Sequence, residues 1–238
     1  MRLVKKREFR FTMADKNHTL LLCWLVMHAL ALPLISSELM RRFPDVLGVM
    51  EYNVLYYTVS TAVVLIFGWH YLRDEFDTLL DNGFGTIVML MRAFFINLAL
   101  SFFAAQIMVL ITGGDLSWLT TPNDETIVAL SSQELYKMTA LTVFLAPVIE
   151  EVLFRGCVFG WLRQRDRLVA YLVSMLLFAL AHVWQYAVQA QDLTILLYVL
   201  SYLPAGFVLA WCYDISGSIW TGILFHMGTN LFGMGVLF

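Results

Sequence analysis

The chain has 238 residues, 60% of them hydrophobic and only 14% charged, with a formal net charge of −3. An ordinary soluble domain carries about a quarter charged residues. This composition therefore excludes a soluble globular domain, and the absence of a basic patch argues against a nucleic-acid partner. Long apolar runs recur along the whole length, which predicts an all-α, polytopic transmembrane bundle rather than a domain with one anchor. Cys23, Cys157 and Cys212 all lie inside apolar segments. An odd number inside the membrane argues against a disulfide framework, and they read as small core hydrophobes.

Residues Met1–Lys16 carry six basic and two acidic side chains, a cytoplasmic arm under the positive-inside rule. A first span follows at Thr19–Ser36, with Pro33 expected to kink or end it. Ala29-Leu30-Ala31 resembles a signal-peptide cleavage site, but the apolar run continues past it and fits a retained anchor. Further spans are expected at Tyr52–Leu72 and Thr86–Ile111, joined by an acidic loop at Arg73–Gly85. Arg92 reads as a snorkelling anchor near the start of the third span. The stretch Thr112–Tyr136, with four acidic residues and no basic one, is the longest polar connection and is expected outside the cytoplasm. Four more spans follow, at Met138–Leu162, Leu168–Ala190, Leu193–Tyr213 and Ile219–Phe238. The basic exit Arg163–Arg167 again reads cytoplasmic. About seven spans with a cytoplasmic N-terminus alternate consistently. Residues 1–137 form the arm and three spans, and 138–238 form a core of four, in one integrated membrane domain.

The stretch Ala146–Arg155 puts Glu150, Glu151 and Arg155 inside the fourth span. Glu151 and Arg155 stand four apart with the acid first, the favourable order for a helical ion pair. Glu150 lies about 100° round the helix from Glu151 and has no partner of its own there. An unpaired carboxylate in a membrane span is a functional-site hypothesis by default. Helical rise gives depths from each span's cytoplasmic end of roughly 18 Å for Glu150, 21 Å for His182 and 12–18 Å for His226 and Asn230. Those groups therefore share one mid-membrane layer on three helices. His226 and Asn230 are four apart and share a face. His28 and His70 read as interhelical hydrogen-bonding groups, Phe178 as core against the His182 ring, and Gly156 with Gly160 as a close helix-packing pair.

Three motifs occur in order: Glu150-Glu151-x-x-x-Arg155, Phe178-x-x-x-His182 and His226-x-x-x-Asn230. Ala146-Pro147 precedes the first, Phe154-Arg155-Gly156 ends it, and Ser216-Gly217-Ser218-Ile219-Trp220 precedes the last. Over Met138–Phe238 the chain resembles the CPBP family of intramembrane proteases, which includes type II CAAX prenyl endopeptidases and bacteriocin-processing or immunity-related members. The resemblance implies a glutamate-dependent, water-activating peptidase whose site opens toward the cytoplasm. It implies that Glu150 and His182 hold and deprotonate the water and that His226 and Asn230 support the oxyanion. Glu151 and Arg155 would brace the fourth span. No cofactor is implied. The expected partners are a peptide or membrane-protein substrate and membrane lipid, with no nucleic acid, and the expected setting is a bacterial cell membrane.

Three other readings use the same residues. Glu150, His182 and His226 form a chemically adequate zinc set for a metalloprotease. The polar cluster could act as helix glue in a non-enzymatic scaffold or immunity protein. Membrane carboxylates also mark proton-coupled transporters, although no inverted repeat is visible.

Overall fold

The computed structural model describes residue 9, residues 11–43, residue 46 and residues 48–237, with side chains to Gly235. Most of the predicted basic arm, residues 1–8 and 10, lies outside the described residues. Among the described residues the chain is all-helical, with no strand. Its elements are α1 (Asp15–Arg42), α2 (Val49–Asp81), α3 (Gly83–Ile111), α4 (residues 122–163), α5 (Arg167–Ala181), α6 (Trp184–Ala190), α7 (Val199–Ser216) and α8 (Ile219–Leu237). Single 3-10 turns at Leu116–Leu119 and Leu193–Tyr198 precede α4 and α7.

Five segments are long and apolar enough to cross a membrane: α1, α2, α3, Arg167–Ala190 and Leu193–Ser216. The protein is therefore an integral membrane protein and a polytopic helical bundle. The two expected spans outside this set are α4 and α8, and they carry Glu150, Glu151, Arg155, His226 and Asn230. α4 carries three charged side chains within one span's length, and polar residues interrupt the apolar run of α8. Packing against other helices supplies what lipid cannot: every residue from Ile149 to Gly160 is buried, so α4 is enclosed on all sides.

The predicted acidic loop at Arg73–Gly85 is helix instead. α2 runs to Asp81 and α3 begins at Gly83, with Asn82 alone between them. At 33 residues α2 is about 50 Å long, well beyond a hydrocarbon core of about 30 Å, so its acidic end projects past the apolar layer. Glu75 is tied there: its Oε2 accepts from Ile219 N at 3.1 Å and its carbonyl from Ser218 Oγ at 2.6 Å. Nearby, Asp214 accepts from Arg163 Nε at 2.7 Å, Arg167 Nε at 2.8 Å and Tyr171 Oη at 3.0 Å. One end of the bundle is thus clamped by carboxylates and holds the Arg163–Arg167 turn.

Pro33 does not end α1. The helix widens to a π-turn at Met27–Ala31 and continues to Arg42. Proline has no N–H, so the carbonyls one turn back lose their helical donor. Tyr56 Oη donates to His28 O at 2.8 Å, and Trp184 Nε1 donates to Ala29 O at 3.0 Å. Side chains of α2 and α6 thus satisfy the backbone that proline orphans, which a membrane interior requires. Gly156 and Gly160 behave as expected of a close-packing pair. A Cβ on Gly156 would meet the Tyr71 ring at 3.2 Å, and one on Gly160 the Phe11 ring at 2.8 Å.

The polar connection Thr112–Tyr136 is not an open loop. From Pro122 it is helix, started by a capping box between Thr121 and Asp124. Pro122 is 28 residues before Glu150, about 42 Å along a straight helix. Yet Thr121 Oγ1 lies 2.8 Å from Tyr202 Oη, and the Tyr202 ring stacks on His182 at 4.7 Å. Such proximity requires a sharp bend, and the backbone leaves helical values at Glu134 (φ −142°, ψ 63°). The first part of α4 therefore folds back over the rest, held also by Tyr186 Oη donating to Thr126 Oγ1 at 3.3 Å.

Charge asymmetry predicts that the Arg163–Arg167 turn faces the cytoplasm and the fold-back helix faces out. In a chain whose exposed Cys23 is replaced by Ser, an impermeant maleimide applied to intact cells should label Asn123→Cys and spare Asp166→Cys. The reverse pattern would invert the orientation.

Candidate active site

The three groups predicted to meet do so. Glu150 Oε2 lies 3.7 Å from His182 Nε2 and 3.9 Å from His226 Nε2. These separations are too long for direct hydrogen bonds and suit a water held between the three. Glu150 is 9% exposed, and its Oε2 is buried without a hydrogen-bond partner. A buried carboxylate oxygen left open in this way is a rare feature that calls for a ligand or a chemical role.

Backbone geometry aims each imidazole. α5 ends at Ala181, and His182 sits in the turn before α6 rather than inside the single long span the sequence suggested. Its Nδ1 is 2.8 Å from Phe178 O. A carbonyl can only accept, so Nδ1 carries the proton and Nε2 presents a lone pair toward Glu150. The ring is clamped by Tyr202 on one side and Phe178 at 4.5 Å on the other.

His226 is held by a carboxylate. Its Nδ1 lies 3.0 Å from Glu151 Oε1, which also accepts from Arg155 Nη1 at 3.1 Å. A carboxylate can only accept, so Nδ1 donates to Glu151, and Nε2 faces the Glu150 side of the site. This contact was not expected. The sequence spacing reveals the Glu151–Arg155 pair but not its third member on α8. Arg155 is fully buried, donates from Nη2 to Gly206 O at 3.1 Å and lies 4.2 Å over the Phe178 ring. Phe178 therefore does more than fill space, because its ring touches Arg155, His182 and His226 together.

Asn230 is positioned by a proline. Residues Ala140–Leu145 form a π-turn in which Ala146 N–H bonds to Leu141 O, five residues back. The next donor in that register would be residue 147, which is Pro147. Thr142 O is left free, and Asn230 Nδ2 donates to it at 2.8 Å. One amide N–H is thus spent on holding the side chain, and the other is free to donate. Tyr202 and the Thr142 carbonyl are the site groups that sequence reasoning missed. Pro147 was the available signal for the second, and nothing in the sequence marked the first.

Glu150, His182, His226 and Asn230 all line one cavity of about 640 Å³. It extends from Glu150 past Tyr57, Asn53 and Ser37 on α1 and α2 and past Gln185 and Gln189 on α6, beneath Asn123 and Thr126 of the fold-back helix. It therefore lies at the end of the bundle away from Arg163–Arg167. Ser174 and Cys157 offer no nucleophile there: Ser174 Oγ donates to Phe154 O at 3.0 Å, and Cys157 is buried against Met13. His28 bonds to Ser60 at 3.0 Å across α1 and α2, as expected of an interhelical histidine. Among the described residues no three His, Cys, Asp or Glu side chains are disposed to hold a metal ion.

No curated protein and no solved structure matches the chain. Residues 132–232 match the family model described as Type II CAAX prenyl endopeptidase Rce1-like. That stretch runs from just before the Glu134 bend into α8 and contains Glu150, Glu151, Arg155, Phe178, His182, His226 and Asn230, leaving α1, α2 and α3 outside. Over that stretch, which holds the whole of the clustered polar site, the chain is similar to the Rce1-like type II CAAX prenyl endopeptidases, a family of proteases.

Proposed function

We propose that the protein is an intramembrane endopeptidase that cleaves a peptide or membrane-protein substrate with a glutamate-activated water, in a bacterial cell membrane. The observation that carries this reading is the open, buried Glu150 Oε2 with two imidazole nitrogens at 3.7 and 3.9 Å. A water there gives one hydrogen to Glu150 and one to the His182 Nε2 lone pair, which turns an oxygen lone pair toward a bound carbonyl. Glu150 takes the proton as the water oxygen bonds to the carbonyl carbon. The negative charge that develops on the carbonyl oxygen meets donors from His226 Nε2–H and the free Asn230 N–H, fixed in place before the reaction. Glu150 then returns its proton to the amide nitrogen as the C–N bond breaks, giving a carboxylic acid and an amine. Glu151, Arg155 and Phe178 position His226 and His182 and do not touch the substrate.

This mechanism needs no cofactor, and it separates from a zinc mechanism in one experiment. Purified protein should keep its activity through treatment with a strong chelator and carry no stoichiometric zinc. Asn230→Ala should lower kcat by about 10²–10³, the usual loss for one oxyanion donor, with KM nearly unchanged. A chelator-sensitive enzyme that tolerates Asn230→Ala would replace this mechanism with the metal one at the same site.

A further inference from the structure

His182 sits where helical support runs out. α5 ends at Ala181, and Val183 has already left helical values (φ −124°, ψ −37°). The continuous helix that carries Glu150 on α4 and His226 on α8 is therefore missing beneath this imidazole. Its bond to Phe178 O sets the tautomer, but a single hydrogen bond leaves the ring free to tilt. Two aromatic faces take up that freedom, and they are unequal. Phe178 meets the imidazole at 51°, whereas Tyr202 lies nearly parallel to it at 28°, with centroids 4.7 Å apart. Stacking at that separation is a favoured aromatic geometry. Tyr202 belongs to α7, so the second face is supplied across the bundle.

Tyr202 is held in turn by the start of the fold-back helix. Thr121 Oγ1 donates its one proton to Asp124 Oδ2 at 2.8 Å, within the capping box. In the 2.8 Å contact between Thr121 Oγ1 and Tyr202 Oη the tyrosine is therefore the donor. Thr121 is 4% exposed, so its hydroxyl is kept from solvent. A second aromatic pair fixes the same docking, with Trp118 stacked on Tyr198 at 4.9 Å and 24°. Tyr198 and Tyr202 are four apart and share a helix face. The Tyr202 ring cannot swing out of its stack without giving up the hydroxyl bond. Thr121 thus reaches His182 through a single side chain, although 61 positions of sequence separate the two.

Resting on the peptidase reading above, we propose that Tyr202 is a positioning residue for His182, and that Thr121 of the fold-back helix holds it at its working angle. Both act through the imidazole, by fixing the direction in which the Nε2 lone pair meets the water on Glu150. Full-length enzyme in micelles is assayed on a peptide selected from a synthetic library by mass spectrometry, at a temperature well below each variant's melt. Tyr202→Leu removes the ring and should lower kcat by about 10–10²-fold, the scale of loss when a reacting group is misplaced by about 1 Å. KM should be nearly unchanged, because the aim of the lone pair matters in the transition state. Tyr202→Phe keeps the stack and should lose only about two- to tenfold, the loss of one neutral hydrogen bond. Thr121→Val should lower kcat as well, and Tyr202→Phe should then add nothing further, since the two hydroxyls form one contact. A Tyr202→Leu enzyme with wild-type kcat, or one whose loss appears only in KM or in the melt, would overturn the inference. Should Tyr202→Leu not accumulate, the cycle decides by itself: Tyr202→Phe and Thr121→Val effects that add in full would overturn the inference too. Each of these results leaves the peptidase intact. A peptide cut equally by wild type and Glu150→Gln, or by neither, would sink the peptidase reading and the inference with it.

Discussion

Glu150→Gln should abolish peptide cleavage while the protein accumulates and melts as wild type. The substitution keeps the volume and removes the base. General acid–base catalysis by one positioned group is typically worth about 10²–10⁴ in rate, and here the same carboxylate both takes the proton from water and returns it to the leaving nitrogen. Stability should not fall, because Glu150 Oε2 has no hydrogen bond to lose. A carboxamide is also easier to bury than an ionised carboxylate. Cleavage of a defined peptide and a thermal melt in detergent, run on the same preparation, measure both. Turnover near wild type would remove Glu150 from the mechanism and favour a scaffold in which the polar layer only binds helices together.

Glu151→Gln should fail in a different way. Arg155 is fully buried, and besides Glu151 it has Gly206 O and the face of Phe178. Removing one partner of a buried ion pair costs about 3–5 kcal/mol, a large part of the roughly 5–15 kcal/mol that holds a domain together. The variant should accumulate poorly and melt well below wild type. Replacing both partners, Glu151→Leu with Arg155→Leu, removes the unpaired charge and should recover much of that stability. It should not recover activity, because His226 Nδ1 loses the carboxylate that aligns it. A double variant that is both stable and fully active would show that the Glu151–His226 contact is structural only.

Much of the site can be read from spacing because it is local. The Glu151–Arg155 pair follows from four residues of helix, the isolation of Glu150 from one residue of rotation, and the shared depth of His182, His226 and Asn230 from counting rise. What could not be read depends on groups from other helices. Pro33 looks like a helix end until Tyr56 and Trp184 take up the carbonyls it frees. Pro147 looks like a kink until Asn230 takes up Thr142 O. The acidic run after Arg73 looks like a loop because its anchor, Glu75 against Ile219, spans 144 positions of sequence. The stretch Thr112–Tyr136 is polar enough to pass for an exposed connection, and nothing local marks Glu134 as the bend that returns it to Tyr202.

The enclosure of α4 bears on how the protein is made. A nascent segment enters the bilayer from the translocon according to its own apolarity, and Asp, Lys or Arg near the middle each cost about 2.5–3.5 kcal/mol on that scale. α4 brings Glu150, Glu151 and Arg155, three charged side chains within one span's length, where each of its five apolar neighbours offers a stretch with at most two. Partition into lipid as a lone helix would place those three groups in hydrocarbon. The surfaces that receive them belong to α5, α7 and α8, which are synthesised later. Biogenesis must therefore keep α4 in a polar or proteinaceous setting until the C-terminal helices emerge. Ribosome-bound chains truncated after Arg163 should be extractable from the membrane, and full-length chains should not.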